Sequence, residues 1–183
     1  MKNVKALMFV KVMTVLMLFV SPGIEADDLE KLHGKITRKF PEVSHINANQ
    51  LEQVLSGNNA ENIILFDVRE EGEFQVSHIR NAIRINPESS AESFMSRYGE
   101  LIGNKDVVVY CSVGYRSSEL AERILESPEG RQTRNVYNLQ HGIFGWHNEH
   151  RPLYSNSGPV DSVHPYSRRW ESYLDRKDGI AYE

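Results

Sequence analysis

The chain has 183 residues, with 21 Lys and Arg against 25 Asp and Glu, a net charge of −4 and a single cysteine. That is enough chain for one well-buried domain and a short appendage. The charge excludes the basic surplus on which nucleic-acid binding depends, and one cysteine excludes an internal disulfide, so its thiol is free, paired with another molecule, or functional.

Residues 1–26 read as an export signal. Lys2, Lys5 and Lys11 precede or punctuate an apolar run from Val12 to Val20, broken only by Thr14, and Ser21-Pro22-Gly23 ends it. Gly23 and Ala26 offer small residues for cleavage. The run is short for a membrane span. The expected location is periplasmic or secreted, with no stable membrane insertion after cleavage; retention as an N-terminal membrane anchor is the alternative. Without Lys2, Lys5, Lys11 and Glu25, the mature chain would carry about −6.

Residues 27–40 are charged and mixed, a linker or short helix. A folded domain is expected over 41–154. Val43 to Ile46 suits a short strand, and Asn47 or Asn49 can cap a helix through Leu51, Val54 and Leu55 that Gly57 ends. Ile63-Ile64-Leu65-Phe66 is a second strand delivering Asp67-Val68-Arg69-Glu70-Glu71 at its C-terminal end. His78 to Ile85 reads as a loop and third strand. Phe94, Tyr98, Leu101 and Ile102 recur at helical spacing before Gly103-Asn104. Val136 to Leu139 is a fifth strand, and Gly142 to Trp146 opens a last short helix. Strands alternating with helices imply an α/β fold: a mainly parallel sheet with helices on both faces and function at the C-terminal strand ends. The polar tail, 155–183, reads as a strap with Trp170, Tyr173 and Leu174 as a small apolar stripe.

The fourth strand holds the cysteine. Val107-Val108-Val109-Tyr110 is too short and too β-branched for a helix, and beyond Cys111-Ser112-Val113-Gly114 the residues Leu120, Ala121, Ile124 and Leu125 return to helical spacing. Cys111 therefore sits where a strand feeds a helix N-terminus. Free amides, the helix dipole and Arg116 should favour thiolate over thiol there. Gly114 supplies the backbone freedom for a loop of inward-pointing amides. A lone cysteine is more often a small buried hydrophobe, but Ser, Gly, Tyr and Arg follow this one rather than core residues.

Four pieces in register resemble the rhodanese-like family: Phe66-Asp67-Val68-Arg69-Glu70, His78-Ile79 with Asn81-Ala82, Cys111 through Ser117, and Gly142-Ile143 with Trp146 and Pro152. They cover about residues 42–154. The resemblance implies a five-stranded parallel sheet and a sulfurtransferase in which Cys111 takes a sulfane sulfur from a small donor such as thiosulfate, and passes it to a thiol or protein acceptor through two half-reactions. No cofactor and no metal are implied. By the same likeness, Cys111, Arg116 and Asp67 are the expected catalytic residues. Asp67 is expected to fix the loop or Arg116, while Ser112, Val113, Gly114, Tyr115, Ser117 and Arg69 are expected to bind substrate. Ser77 and Asn81 stand where the family carries glycines; Asn tolerates positive φ, whereas Ser77 is harder to accommodate.

Two rival functions fit parts of the pattern. A phosphatase or arsenate reductase also places a Cys…Arg loop at a helix N-terminus, but the Cys-x5-Arg type has one more residue than the four between Cys111 and Arg116. A sulfur carrier or binding module without turnover would keep the same residues. His147 and His150, with Glu149 between and His141 upstream, lack the second spaced pair that a metal site needs. His78 reads as structural, its ring bonding to backbone.

Overall fold

A computed structural model describes residues 24–183; the export-signal reading lies outside the described residues except at its last three positions. Those three open α1 (Ile24–Lys39), a helix rather than a tether. It buries Leu29 and Ile36, and Phe40 just beyond it, against the domain. After β1 (Ser44–Ile46) comes α2 (Ala48–Ser56). Asn47 caps α2: its side chain accepts from Gln50 N at 2.9 Å while Gln50 Oε1 accepts from Asn47 N at 3.0 Å.

β2 (Ile63–Asp67) runs into a six-residue helix, α3 (Glu71–Val76). β3 shrinks to Ile83–Arg84. The reason is local: His78 pairs with Tyr154 in an antiparallel bridge, and Asn81 turns the chain at φ +62°. Asn81 thus takes the left-handed conformation in the glycine's stead. Ser77 sits at φ −168°, extended backbone open to any residue. α4 (Ala91–Ile102) begins at a Ser90 cap whose hydroxyl accepts from Ser93 N at 3.1 Å. β4 (Asp106–Tyr110), α5 (Tyr115–Glu126), β5 (Asn135–Leu139), α6 (Gly142–Asn148) and the hairpin β6 (Leu153–Ser155) with β7 (Gly158–Val160) follow.

The sheet order is β1-β5-β4-β2-β3, every neighbour parallel. Alternation along β4 divides the core. Val107, Val109 and Cys111 face one side, with Phe66, Phe94, Leu120 and Ile124. Val108 and Tyr110 face the other, with Leu51, Ile143, Phe144 and Trp146. The tail belongs to this second layer: Val163 and Leu174 are fully buried, and Val163 bridges to Ile180. Among the described residues no helix is long and apolar enough to cross a membrane.

Candidate active site

Cys111 lies directly beyond β4, the central strand, at the C-terminal edge of the sheet. The loop to α5 is shaped by two glycines. Gly114 adopts φ +97°, and a Cβ there would come within 2.9 Å of Asn138 Nδ2. Gly142 adopts φ +56°, and a Cβ would lie 2.3 Å from the Cys111 carbonyl oxygen. That close approach lets Ile143 N donate to the Cys111 carbonyl at 2.9 Å and Phe144 N to the Ser112 carbonyl at 3.0 Å. With its carbonyls held by α6, the loop directs Gly114 N–H to Cys111 Sγ at 3.2 Å. Asn138 on β5 braces the far side, its Oδ1 accepting from Ser117 Oγ at 2.6 Å.

Arg116 projects back over the loop into a fork. Its Nη1 donates to Glu73 Oε2 at 2.9 Å and its Nη2 to Glu73 Oε1 at 3.0 Å and Ser112 Oγ at 3.0 Å. The Ser112 hydroxyl in turn donates to Glu73 Oε1 at 2.9 Å. Burial works against the charge of Arg116, but the Glu73 hydrogen bonds and the neighbouring Cys111 and Glu73 outweigh it and push its pKa up. Burial likewise opposes the Glu73 carboxylate, and Arg116 with Arg69 overcomes it, so the pKa of Glu73 falls. The pair is ionised and geometrically locked.

Asp67 departs from its expected place. It faces the Tyr110 side of the sheet, because Asp67 pairs in register with Tyr110 and side chains alternate along β2. Its carboxylate is bound by Arg69, with Nε at 2.9 Å from Oδ1 and Nη2 at 2.6 Å from Oδ2, while Arg69 Nη2 also reaches the Ser77 carbonyl at 2.6 Å. Both side chains are 0 % exposed. The expectation that Asp67 fixes the loop or Arg116 is corrected to a pairing with Arg69, and Arg69 is a buried strut rather than a substrate contact. Ser117 is buried against Asn138 rather than open to substrate.

Cys111, Ser112, Val113, Tyr115 and Arg116 line a cavity of about 330 Å³, together with Tyr166 and Trp170 from the tail. Cys111 is 1 % exposed, so a reagent reaches it through this cavity. Tyr166 covers the Arg116 guanidinium, 4.8 Å from its ring centroid. Sequence reasoning missed Glu73, Asn138, Tyr166 and Trp170 as site residues. Glu73 did carry a signal: it stands three residues after Glu70 and accepts from Glu70 N at 3.0 Å, the reciprocal half of a capping box.

The histidines weighed as metal ligands are sent apart. His141 meets Glu30 at 3.0 Å and His33 edge to face, while His147 is buried beneath the tail beside Gly179. Among the described residues no three His, Cys, Asp or Glu are grouped to hold a metal ion. His78 stacks on Phe74 at 4.0 Å, and its Nδ1 lies 3.0 Å from the Phe74 carbonyl, a structural role.

This geometry has counterparts. A protein named sulfurtransferase from Allochromatium vinosum is 28% identical over 116 residues, 63% of this chain and 99% of its own. A thiosulfate sulfurtransferase from Shewanella oneidensis is 28% identical over 103 residues, 56% of this chain and 91% of its own. The fold superposes on the crystal structure of a thiosulfate sulfurtransferase from Pseudomonas aeruginosa with a TM-score of 0.54 at 18% identity, over 79% of this chain and 26% of that one. The model of the rhodanese-like domain matches residues 48–149, from α2 past the end of α6 and with the cysteine loop inside the match, and the protein belongs to that family.

Proposed function

We propose that the protein is a sulfurtransferase that carries a sulfane sulfur on Cys111. The thiolate attacks the outer sulfur of a donor such as thiosulfate; the S–S bond breaks, its electron pair leaves on sulfite, and Cys111–S–S⁻ remains. A thiol or other thiophile then attacks the terminal sulfur and regenerates the thiolate. The observation that carries this reading is Cys111 at the floor of a cavity with the Gly114 N–H donating to its sulfur. Such a donor stabilises sulfur-borne charge without itself being able to take it up. Arg116, anchored by Glu73 and Ser112, fixes the loop and offers a positive edge to the arriving anion.

The test is the intact mass of the reduced protein before and after thiosulfate, alongside Cys111→Ser. A gain of one sulfur atom, removed by cyanide as thiocyanate and absent in the variant, is the expected result. An unchanged mass with thiosulfate, mercaptopyruvate and organic sulfane-sulfur donors alike would sink the reading and turn attention to phosphate or arsenate substrates. Repeated thiocyanate release per protein separates an enzyme from a carrier loaded once.

The sulfur chemistry is assigned to the periplasm or the exterior on the strength of Lys2, Lys5 and Lys11 followed by the apolar run to Val20. N-terminal sequencing of the protein recovered from its host decides it: a chain beginning near residue 27 agrees, and one beginning at Met1 does not.

A further inference from the structure

We propose that Tyr166 and Trp170 form a subsite for the organic body of the sulfur donor, so that the preferred donor is a monoanionic aryl or alkyl thiosulfonate rather than inorganic thiosulfate. The inference rests on the sulfur-transfer reading above and concerns its substrate.

The first argument is shape. A cavity of about 330 Å³ is at the lower end of the range of organic-ligand pockets, more room than a bare five-atom anion requires. Val113, Tyr115, Tyr166 and Trp170 give it a largely apolar lining, beside Cys111, Ser112 and Arg116. Tyr166 and Trp170 meet edge to face at 6.0 Å, and Trp170 leans on Tyr173 at 5.5 Å, so the wall is a connected aromatic panel rather than one stray ring. Tyr166 holds φ +66°, a conformation bulky residues seldom take, and is 49 % exposed. The tail is anchored beneath it by buried Leu174 and Val163, which keeps the panel in place over the thiol.

The second argument is charge. Among the described residues the one cation lining the cavity is Arg116, and both its Nη atoms are already committed to Glu73. Lys39 reaches the Tyr115 hydroxyl but does not line the cavity. His164, which the tail brings within electrostatic range of Glu73 and Arg69, is held towards its neutral form by burial. A thiosulfate dianion would therefore meet a thiolate with the counter-charge of Arg116 already offset in part by a carboxylate. A thiosulfonate brings one negative charge fewer and replaces a charged oxygen with an apolar group for the aromatic panel.

The step balances. Cys111–S⁻ attacks the outer sulfur of R–SO₂–S⁻, a new S–S bond forms at Cys111, and the old S–S bond breaks with its electrons leaving on R–SO₂⁻. Two negative charges enter and two leave; no oxidant or reductant is needed.

The experiment measures sulfur loading of Cys111 by intact mass in the full-length protein, at matched concentrations of benzenethiosulfonate, methanethiosulfonate and thiosulfate. The two thiosulfonates share the reacting head, so their ratio reports the organic body. Benzenethiosulfonate is expected to load about tenfold faster than methanethiosulfonate, from aromatic contact, and both faster than thiosulfate. Trp170→Ala and Tyr166→Ala should each bring the phenyl-to-methyl ratio towards one. Because that ratio is internal to each variant, it survives partial loss of folded protein. A ratio near one in the wild type, a ratio that neither variant changes, or thiosulfate as the fastest donor overturns the inference while leaving sulfur transfer standing. Failure of all three reagents to load Cys111 removes the underlying reading, and this inference with it.

Discussion

Arg116 and Glu73 are 43 residues apart in sequence and joined by two parallel hydrogen bonds of 2.9 and 3.0 Å. That fork ties the first turn of α5 to α3 and closes over Ser112, whose hydroxyl touches both partners. The cysteine loop is thereby held from the α3 side by charge and from the α6 side by backbone hydrogen bonds to its carbonyls.

Glu73→Gln keeps the shape and removes the charge. One arm of the fork then presents an amide N–H to a guanidinium donor, and Arg116 swings free of Ser112. We expect sulfur loading of Cys111 to slow by about 10- to 100-fold, since small misplacements of a reacting group cost on that scale. Loading rates followed by mass, with circular dichroism as a check that the fold persists, decide it; unchanged rates would show that the fork is dispensable.

Asp67→Asn should act on stability instead. It leaves the fully buried Arg69 without its counter-charge, and breaking such a pair from one side costs roughly 3–5 kcal/mol. The double variant Asp67→Leu/Arg69→Leu should be less damaged than the single one, because no charge is then stranded. Urea denaturation midpoints of the two variants test the ordering, and equal midpoints would contradict it.

Gly142→Ala strikes the loop from α6. A methyl 2.3 Å from the Cys111 carbonyl oxygen, at φ +56°, forces the loop and α6 apart. The expected cost is of order 1–3 kcal/mol in stability from overpacking and strain. Cys111 loading should fall more than the thermal midpoint alone explains. A variant that loads at the wild-type rate would mean the contact relaxes freely.

Leu174→Ala asks whether the tail belongs to the fold. Leu174 is fully buried in the layer that holds Trp146 and Ile143. Its truncation should therefore cost about 2–5 kcal/mol, as in any core. If the tail were only draped on the surface, the loss would be below about 0.5 kcal/mol. Thermal unfolding separates the two.

Acid should destabilise the protein through its histidines. Burial lowers the pKa of His45 to about 4, with His33 adding to the shift, and burial also lowers His33, His147 and His164. Between the unfolded value near 6.5 and the folded value of about 4, the unfolded chain binds protons that the folded chain refuses, so stability falls as pH drops through that window and is level above it. His45 is half-buried, and after allowance for solvent screening its share is about 1–2 kcal/mol. Denaturation midpoints at pH 7.5, 6 and 5 should decline, and His45→Gln should flatten part of the slope. A midpoint independent of pH over this range would contradict the assignment.

Read alone, the sequence carried the alternating order of strands and helices, the parallel sheet, and Cys111 at a strand-to-helix turn with Arg116 behind it. Those features are written in short windows: Val107 to Tyr110 as a buried strand, Asn47 or Asn49 as a cap, Gly114 as a point of backbone freedom. The physical forces that set them act within about ten residues, so local spacing reports them. Tertiary structure alone decided which charges met. Asp67 ends β2 and Glu73 follows six residues on, and nothing local says that strand alternation turns the first towards Arg69 while α3 lifts the second to Arg116. The aromatic wall was equally hidden. The sequence marks Trp170 as part of an apolar stripe on a strap, but that it and Tyr166 line the cysteine cavity emerges only once Leu174 and Val163 are buried in the far layer. Burial of apolar surface is non-directional, so it chooses its partners only once the whole sheet is assembled.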